Sequence, residues 1–216
     1  MVILFDLDGT VIDSTDAILE SFHNSFDVFQ SEHPSDEAIK ALIGHPLDVM
    51  YRELGVDESQ VWEYVTTYKE YYRVISTQKT YLLPRAKEAV IEAASFAKIG
   101  IVTTKTGKYS RVLMEHFGLM EYFEVLIGRE DVEHPKPHEE PILKALESFK
   151  NVEKHNVWMM GDTRMDLLSA KNAGVNAIAV LSGYEGKETL QSYCEEIFED
   201  AFDAVKYLKS RKLSHS

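Results

Sequence analysis

The sequence predicts an α/β fold: a parallel sheet covered on both faces by helices, with an all-helical module inserted after the first strand. Five short runs point to the sheet: VILF (2–5), IGIVTT (99–104), EVLIG (124–128), NVWMM (156–160) and NAIAVL (176–181). Each is mostly apolar on both alternating faces, the pattern of strands buried within a parallel sheet. Helical patterns separate most of these runs, and strand alternating with helix marks a doubly wound, Rossmann-like architecture. Residues 14 to 80 break the alternation. They carry helical periodicity and no strand.

VILF opens the chain and runs straight into Asp6. Helices are then predicted over TDAILESFHNSFDVF (15–29), SDEAIKALIG (35–44), PLDVMYREL (46–54) and a long stretch from about 57 to 79. In the last, Val61, Val65, Tyr68, Tyr72 and Ile75 recur at spacings of four, three, four and three, forming one apolar stripe suited to packing a helical bundle. Four more helices are expected over PRAKEAVIEAASF (84–96), SRVLMEHFG (110–118), KPHEEPILKALESF (136–149) and RMDLLSAKNAG (164–174). Gly118 and Gly174 supply C-terminal caps. The chain thus divides into a core of residues 1–13 and 81–216 and a helical module of 14–80. The tail SRKLSHS (210–216) is polar and is expected to fray.

Bulk properties narrow the function. The 216 residues are 44% hydrophobic, enough for a substantial core. The net charge is −13 and the pI about 5.0, which disfavours nucleic acid and anionic lipid as partners. An anionic substrate would need a local cation to overcome that field. The single cysteine, Cys194, excludes an intrachain disulfide and reads as a bystander thiol in a polar helical stretch. There is no basic segment leading into a long apolar run, so a soluble, cytoplasmic protein is expected.

The chemistry begins in FDLDGT (5–10). Asp6 and Asp8 lie two apart at the carboxyl end of the first strand, where open parallel sheets bind ligands. Alternation points both to one side, and Gly9 permits a tight turn. Two carboxylates this close repel unless a cation joins them or one is protonated. A divalent cation takes hard oxygen ligands, and a carboxylate beside a carboxylic acid pairs a nucleophile with a general acid. A strand end feeding an Asp-Gly turn explains DLDG equally well when it is taken alone. After NVWMM, however, comes GDTRMD (161–166). Asp162 and Asp166 are four apart, and helix capping explains one but not both. Four carboxylates at two strand ends imply a bound Mg²⁺. Thr103 and Thr104 end the second strand with hydroxyls suited to an anion's oxygens. Lys136 is held between Pro135 and Pro137, a point charge in rigid context.

Taken in order, DLDGT (6–10), VTT (102–104), KP (136–137) and GDTRMD (161–166) resemble the four signatures of the haloacid dehalogenase-like hydrolases. The resemblance spans nearly the whole chain. It places the helical module where the family's phosphatases carry a cap, and IGHPLDVMYRELG (43–55) resembles the cap segment of phosphoglycolate phosphatases and related pyrophosphatases. It implies a phosphatase that hydrolyses a small phosphomonoester. Asp6 would be the nucleophile that becomes an aspartyl-phosphate, and Asp8 the general acid and then base. Thr103 would bind the phosphoryl oxygens and Lys136 would neutralise charge. Mg²⁺ would be held by Asp6, Asp162, Asp166 and the backbone carbonyl of Asp8. Gly9, Thr10, Thr104 and His45 would contact substrate, His45 from a Gly44–Pro46 loop of a cap that closes over the site. Thr104 stands where relatives often have Asn, and Arg85 where they usually have Gly.

Three other readings remain open at this point. They are a pyrophosphatase, a sugar-phosphate mutase on the same scaffold, and a phosphate-ligand-binding regulatory protein without turnover. A small phosphorylated metabolite is the expected partner, with a monomer or homodimer as the assembly.

Overall fold

The VILF run forms a strand in which all four side chains are fully buried. In the computed structural model, which describes residues 1–214, the elements follow in this order. β1 (Val2–Phe5) and β2 (Ile12–Asp13) precede α1 (Thr15–Val28), α2 (Asp36–Lys40), α3 (Leu47–Glu53) and α4 (Val61–Ile75). Then come β3 (Tyr81–Leu82), α5 (Ala86–Phe96), β4 (Lys98–Val102), α6 (Gly107–His116), β5 (Val125–Ile127) and α7 (Glu140–Leu146). β6 (Val157–Gly161), α8 (Arg164–Ala173), β7 (Asn176–Val180), α9 (Lys187–Leu190), β8 (Ile197–Phe198) and α10 (Ala201–Ser214) complete the chain. Two compact units result: Met1–Asp13 with Leu82–Ser216, and Ser14–Tyr81.

The larger unit is a six-stranded sheet in the order β5-β4-β1-β6-β7-β8, with every pair parallel. Burial on both faces explains why its main strands read as continuous apolar runs. On one face Ile3, Phe5, Ile101, Trp158 and Met160 pack with residues of α5, α6 and α10. On the other, Val2, Leu4, Val102, Val157 and Met159 pack with Ile142 and Ala145 of α7 and Ala170 and Ala173 of α8. β1 is central. The chain first adds β4 and β5 on one side of it, then returns to add β6 on the other. The switch point therefore lies beside β1, where a crevice opens beyond the strands' carboxyl ends.

The smaller unit is helical. Its core joins Phe22 and Phe26 of α1, Tyr51 of α3, and Val61, Tyr64, Val65, Tyr68 and Tyr72 of α4. Ring pairs such as Phe22–Tyr51 at 4.6 Å and Phe22–Tyr68 at 5.0 Å fill it. Tyr64 joins the expected stripe and Ile75 is only half-buried, while Trp62 is exposed. Core packing thus accounts for Tyr64, Tyr68 and Tyr72.

Several elements differ from expectation, for local reasons. α4 starts at Val61 rather than 57, because Asp57 caps a turn by accepting from the Ser59 amide at 2.9 Å. α7 starts at Glu140, past Pro135 and Pro137, which hold the preceding segment out of a helix, while Pro141 sits in the first turn, where proline is tolerated. The tail does not fray from Ser210, since α10 continues to Ser214; His215 and Ser216 lie outside the described residues. Ala201, Ala204, Val205 and Leu208 anchor that helix. Cys194 is not helical. It follows α9, packs with Leu167, Ala179 and Leu190, and burial pushes its thiol up to about 11. Arg85 occupies left-handed backbone (φ 59°), the conformation a glycine favours, and its guanidinium pairs with Asp200 and Asp203. Among the described residues, no helix is long and apolar enough to cross a membrane.

Candidate active site

β1 and β6 are hydrogen-bonded neighbours, with Phe5 opposite Met160. The Asp6 amide donates to the Met160 carbonyl at 2.9 Å, so the pairing carries Asp6 to the sheet's edge. Asp162 follows the last residue of β6. It does not cap the next helix. Thr163 is the N-cap of α8, and its amide and hydroxyl donate to Asp166 Oδ2 at 3.1 and 2.8 Å. Asp162 thus precedes the helix and Asp166 closes its first turn, which still brings the two carboxylates to one group.

Asp6, Asp162 and Asp166 each offer an oxygen to one group whose members lie within 4.8 Å of one another, and all three are buried. Lys136, 2% exposed, lies 3.0 Å from Asp6 Oδ1 and 2.5 Å from Asp166 Oδ1, and also donates to the Val102 carbonyl at 3.1 Å. One ammonium faces three carboxylates. Asp6 Oδ1 is buried and accepts no hydrogen bond of proper geometry, the ammonium meeting it as an ion pair only. A buried acceptor of this kind, among oxygen donors with surplus negative charge, fits a hard metal cation. The group can hold one.

Asp162 is braced from three directions. Its Oδ1 accepts from Thr10 Oγ1 at 3.2 Å and its Oδ2 from the Tyr184 amide at 2.9 Å. Gly9 (φ +80°) and Gly183 press against it so closely that a Cβ at either position would collide with the carboxylate. The Ser182 hydroxyl donates to the Gly9 carbonyl at 2.8 Å, tying the loop after β7 to the loop after β1. Thr10 is fully buried with its hydroxyl committed to Asp162, a brace where the sequence suggests a substrate contact.

Asp8 stands apart from this cluster. Its carboxylate is half-buried and pairs with Lys105 Nζ at 3.1 Å. Thr103, buried just beyond β4, accepts the Lys105 amide on its hydroxyl at 3.2 Å, and the half-buried Thr104 follows it. His45 belongs to the helical unit, between α2 and α3, where its amide donates to the Leu42 carbonyl at 3.1 Å. The structure thus gathers Asp6, Asp162, Asp166, Lys136, Gly9 and Thr10 around one point of the sheet edge, with Asp8 on a neighbouring ion pair.

Sequence reasoning misses Lys105 and the Ser182–Tyr184 loop. The loop could have been found, since SGYE follows a buried strand and must lie at the same carboxyl edge.

Burial pushes Asp6 up to about 7. The nearby Lys136 opposes that shift, while the Asp166 and Asp8 charges add to it. Burial, then the charges of Asp166 and Asp6, likewise hold Asp162 well above the carboxylate range. Burial alone would lower Lys136, but Asp166 and Asp6 more than reverse that and hold it above the usual lysine value. A carboxyl raised in the folded state binds its proton more tightly there than when unfolded. The stability this adds is fully present below about pH 4 and is lost as the pH rises through about 7. Metal binding needs the ionised form, so the trends diverge. The metal-free protein should lose thermal stability between about pH 5 and pH 8. The gain in melting temperature on adding MgCl₂ should grow over the same interval. A gain independent of pH would place the cation elsewhere.

The chain matches known proteins along most of its length. The haloacid dehalogenase-like hydrolase family model matches residues 3–180. The pyrophosphatase PpaX of Bacillus cereus is 32% identical over 199 residues, covering 92% of this chain and 91% of that protein. Its Bacillus mycoides counterpart is 30% identical over 210 residues, covering 97% and 96%. Among solved structures, a haloacid dehalogenase-like family hydrolase from Streptococcus pneumoniae superposes with a TM-score of 0.85 at 25% identity, covering 95% of this chain and 97% of that one. A predicted phosphoglycolate phosphatase from Haemophilus somnus shares the fold, with a TM-score of 0.86 at 23% identity, covering 95% and 96%. Strand-end carboxylates, the buried lysine and the matched family together establish that this chain belongs to the haloacid dehalogenase-like hydrolases.

Proposed function

We propose that the protein is a Mg²⁺-dependent phosphatase that hydrolyses a small phosphomonoester through an aspartyl-phosphate on Asp6. The observation that carries this reading is the buried group of Asp6, Asp162 and Asp166 with Lys136 against it. Three buried carboxylates against one ammonium exceed what a structural ion pair needs, and the surplus negative charge suits a bound Mg²⁺ beside a nucleophile, the combination phosphoryl transfer uses.

Asp6 attacks phosphorus as the bond to the leaving oxygen breaks, and Asp8 gives that oxygen its proton. Asp8 then takes a proton from water, whose oxygen attacks the same phosphorus and frees Asp6. Lys136 offsets the charge on Asp6 and on the transferring group. Thr103, with Gly9 and the backbone beside it, orients the phosphoryl oxygens. Mg²⁺, held by Asp6, Asp162, Asp166 and the Asp8 carbonyl, would supply charge neutralisation and a template for in-line transfer. The same reading gives Thr104 a part in choosing the leaving group.

Pyrophosphate is the second candidate substrate, favoured by the pyrophosphatase names of the relatives at 30–32% identity. Phosphate release from phosphoglycolate, pyrophosphate and sugar phosphates, with MgCl₂ and with EDTA, tests the proposal. Release should require Mg²⁺, and the ranking names the substrate. Tight binding of an ester without turnover would favour a regulatory protein instead. Isomerised product without free phosphate would favour a mutase.

A further inference from the structure

We propose that Lys105 makes this site select substrates whose leaving group carries its own negative charge. The inference rests on the phosphatase reading above and names the class of ester it prefers. Lys105 lies in a polar loop, where a lysine ordinarily extends into solvent. Here its side chain is only 9% exposed and its ammonium lies 3.1 Å from Asp8 Oδ2. Its backbone is held at both ends: the amide donates to Thr103 Oγ1 at 3.2 Å, and the carbonyl accepts from the Arg129 amide at 3.0 Å.

The position of Asp8 then fixes what Lys105 can reach. To protonate the leaving oxygen, Asp8 must come within about 2.6–3.2 Å of it. The ammonium that touches Asp8 therefore lies roughly two hydrogen-bond lengths from that oxygen. Pyrophosphate carries its second phosphate on that very atom. Phosphoglycolate carries a carboxylate one methylene further on. Both place an anion within reach of Nζ, whereas the alcohol of a glycerol or sugar ester offers only hydroxyls. Lys136 cannot serve this end of the substrate, because it is buried and engaged by Asp6, Asp166 and the Val102 carbonyl. The two lysines divide the work. Lys136 meets the group that is transferred and Lys105 the group that departs. In a chain of net charge −13, such a placed cation is what lets a doubly anionic substrate dock.

The test compares kcat/KM for phosphoglycolate, pyrophosphate and glycerol 2-phosphate in the native protein, Lys105→Met and Lys105→Arg. Lys105→Met should lower kcat/KM for the first two by about tenfold or more beyond its effect on the third, the worth of one charge-assisted contact. Lys105→Arg should restore most of that preference. Equal loss on all three would make Lys105 a positioner of Asp8 and overturn the proposal, as would no loss on any. Should the methionine variant not fold, the native protein gives the same answer: glycolate should inhibit turnover at concentrations where glycerol does not, and equal inhibition overturns the idea. Failure of the phosphatase reading itself is separately visible, as native protein that releases phosphate from none of the three.

Discussion

Asp6→Asn should abolish phosphate release while leaving the fold intact. The fall expected is roughly 10⁴-fold or more in kcat, the size seen when a nucleophile is removed from a working constellation. Asparagine keeps the volume of the side chain, so the packing at the end of β1 is unchanged. It removes a charge that burial disfavours, since Asp6 is pushed up to about 7. The thermal midpoint of the metal-free variant near pH 8 should therefore equal or exceed that of the native protein. Both measurements are needed. Loss of activity with a preserved melting curve assigns the chemistry to Asp6, whereas release that survives the substitution would require another nucleophile.

Lys136→Met should damage both stability and activity. The native ammonium sits between Asp6 and Asp166, fully desolvated. Removing it leaves buried carboxylates facing one another with no counter-charge, and breaking a buried pair from one side costs about 3–5 kcal/mol. Added MgCl₂ should recover part of this loss, because the cation supplies to the same oxygens the charge that lysine no longer brings. Activity should stay low even with saturating Mg²⁺, since the transferring group has lost one of its neutralising partners. Unfolding by denaturant with and without MgCl₂ separates the two effects. If the variant is as stable as the native protein without metal, the cluster is better solvated than its burial indicates.

The sheet and the carboxylates were legible because each left an uninterrupted signal. VILF is buried on both faces, so nothing dilutes its apolar run, and Asp6 and Asp162 stand at the ends of such runs where ligands must bind. β8 leaves no signal in the sequence, because two residues flanked by acids in EEIFED give no periodicity. The capping role of Thr163 was hidden by two aspartates, either of which could cap. Lys105 is not distinguishable, because a lysine in a polar loop looks the same in sequence whether it faces water or a carboxylate. Gly183 is hidden for a related reason: its need for a bare Cα arises from Asp162, which is distant in the chain and adjacent only in the fold.

The short ribbon of β2 and β3 has a wider consequence. These strands pair where the chain leaves the sheet unit and where it returns, and the Leu83 amide donates to the Val11 carbonyl at 3.0 Å just beyond them. Seen from the sheet, the whole helical excursion begins and ends at one pair of strands. Closing it costs little more entropy than closing a short loop. Residues inside the excursion can lengthen, shorten or be replaced wholesale without disturbing the register of β1 against β4 and β6. Ser14–Tyr81 is thus a cassette whose length and sequence can change while the two strands that bracket it stay paired.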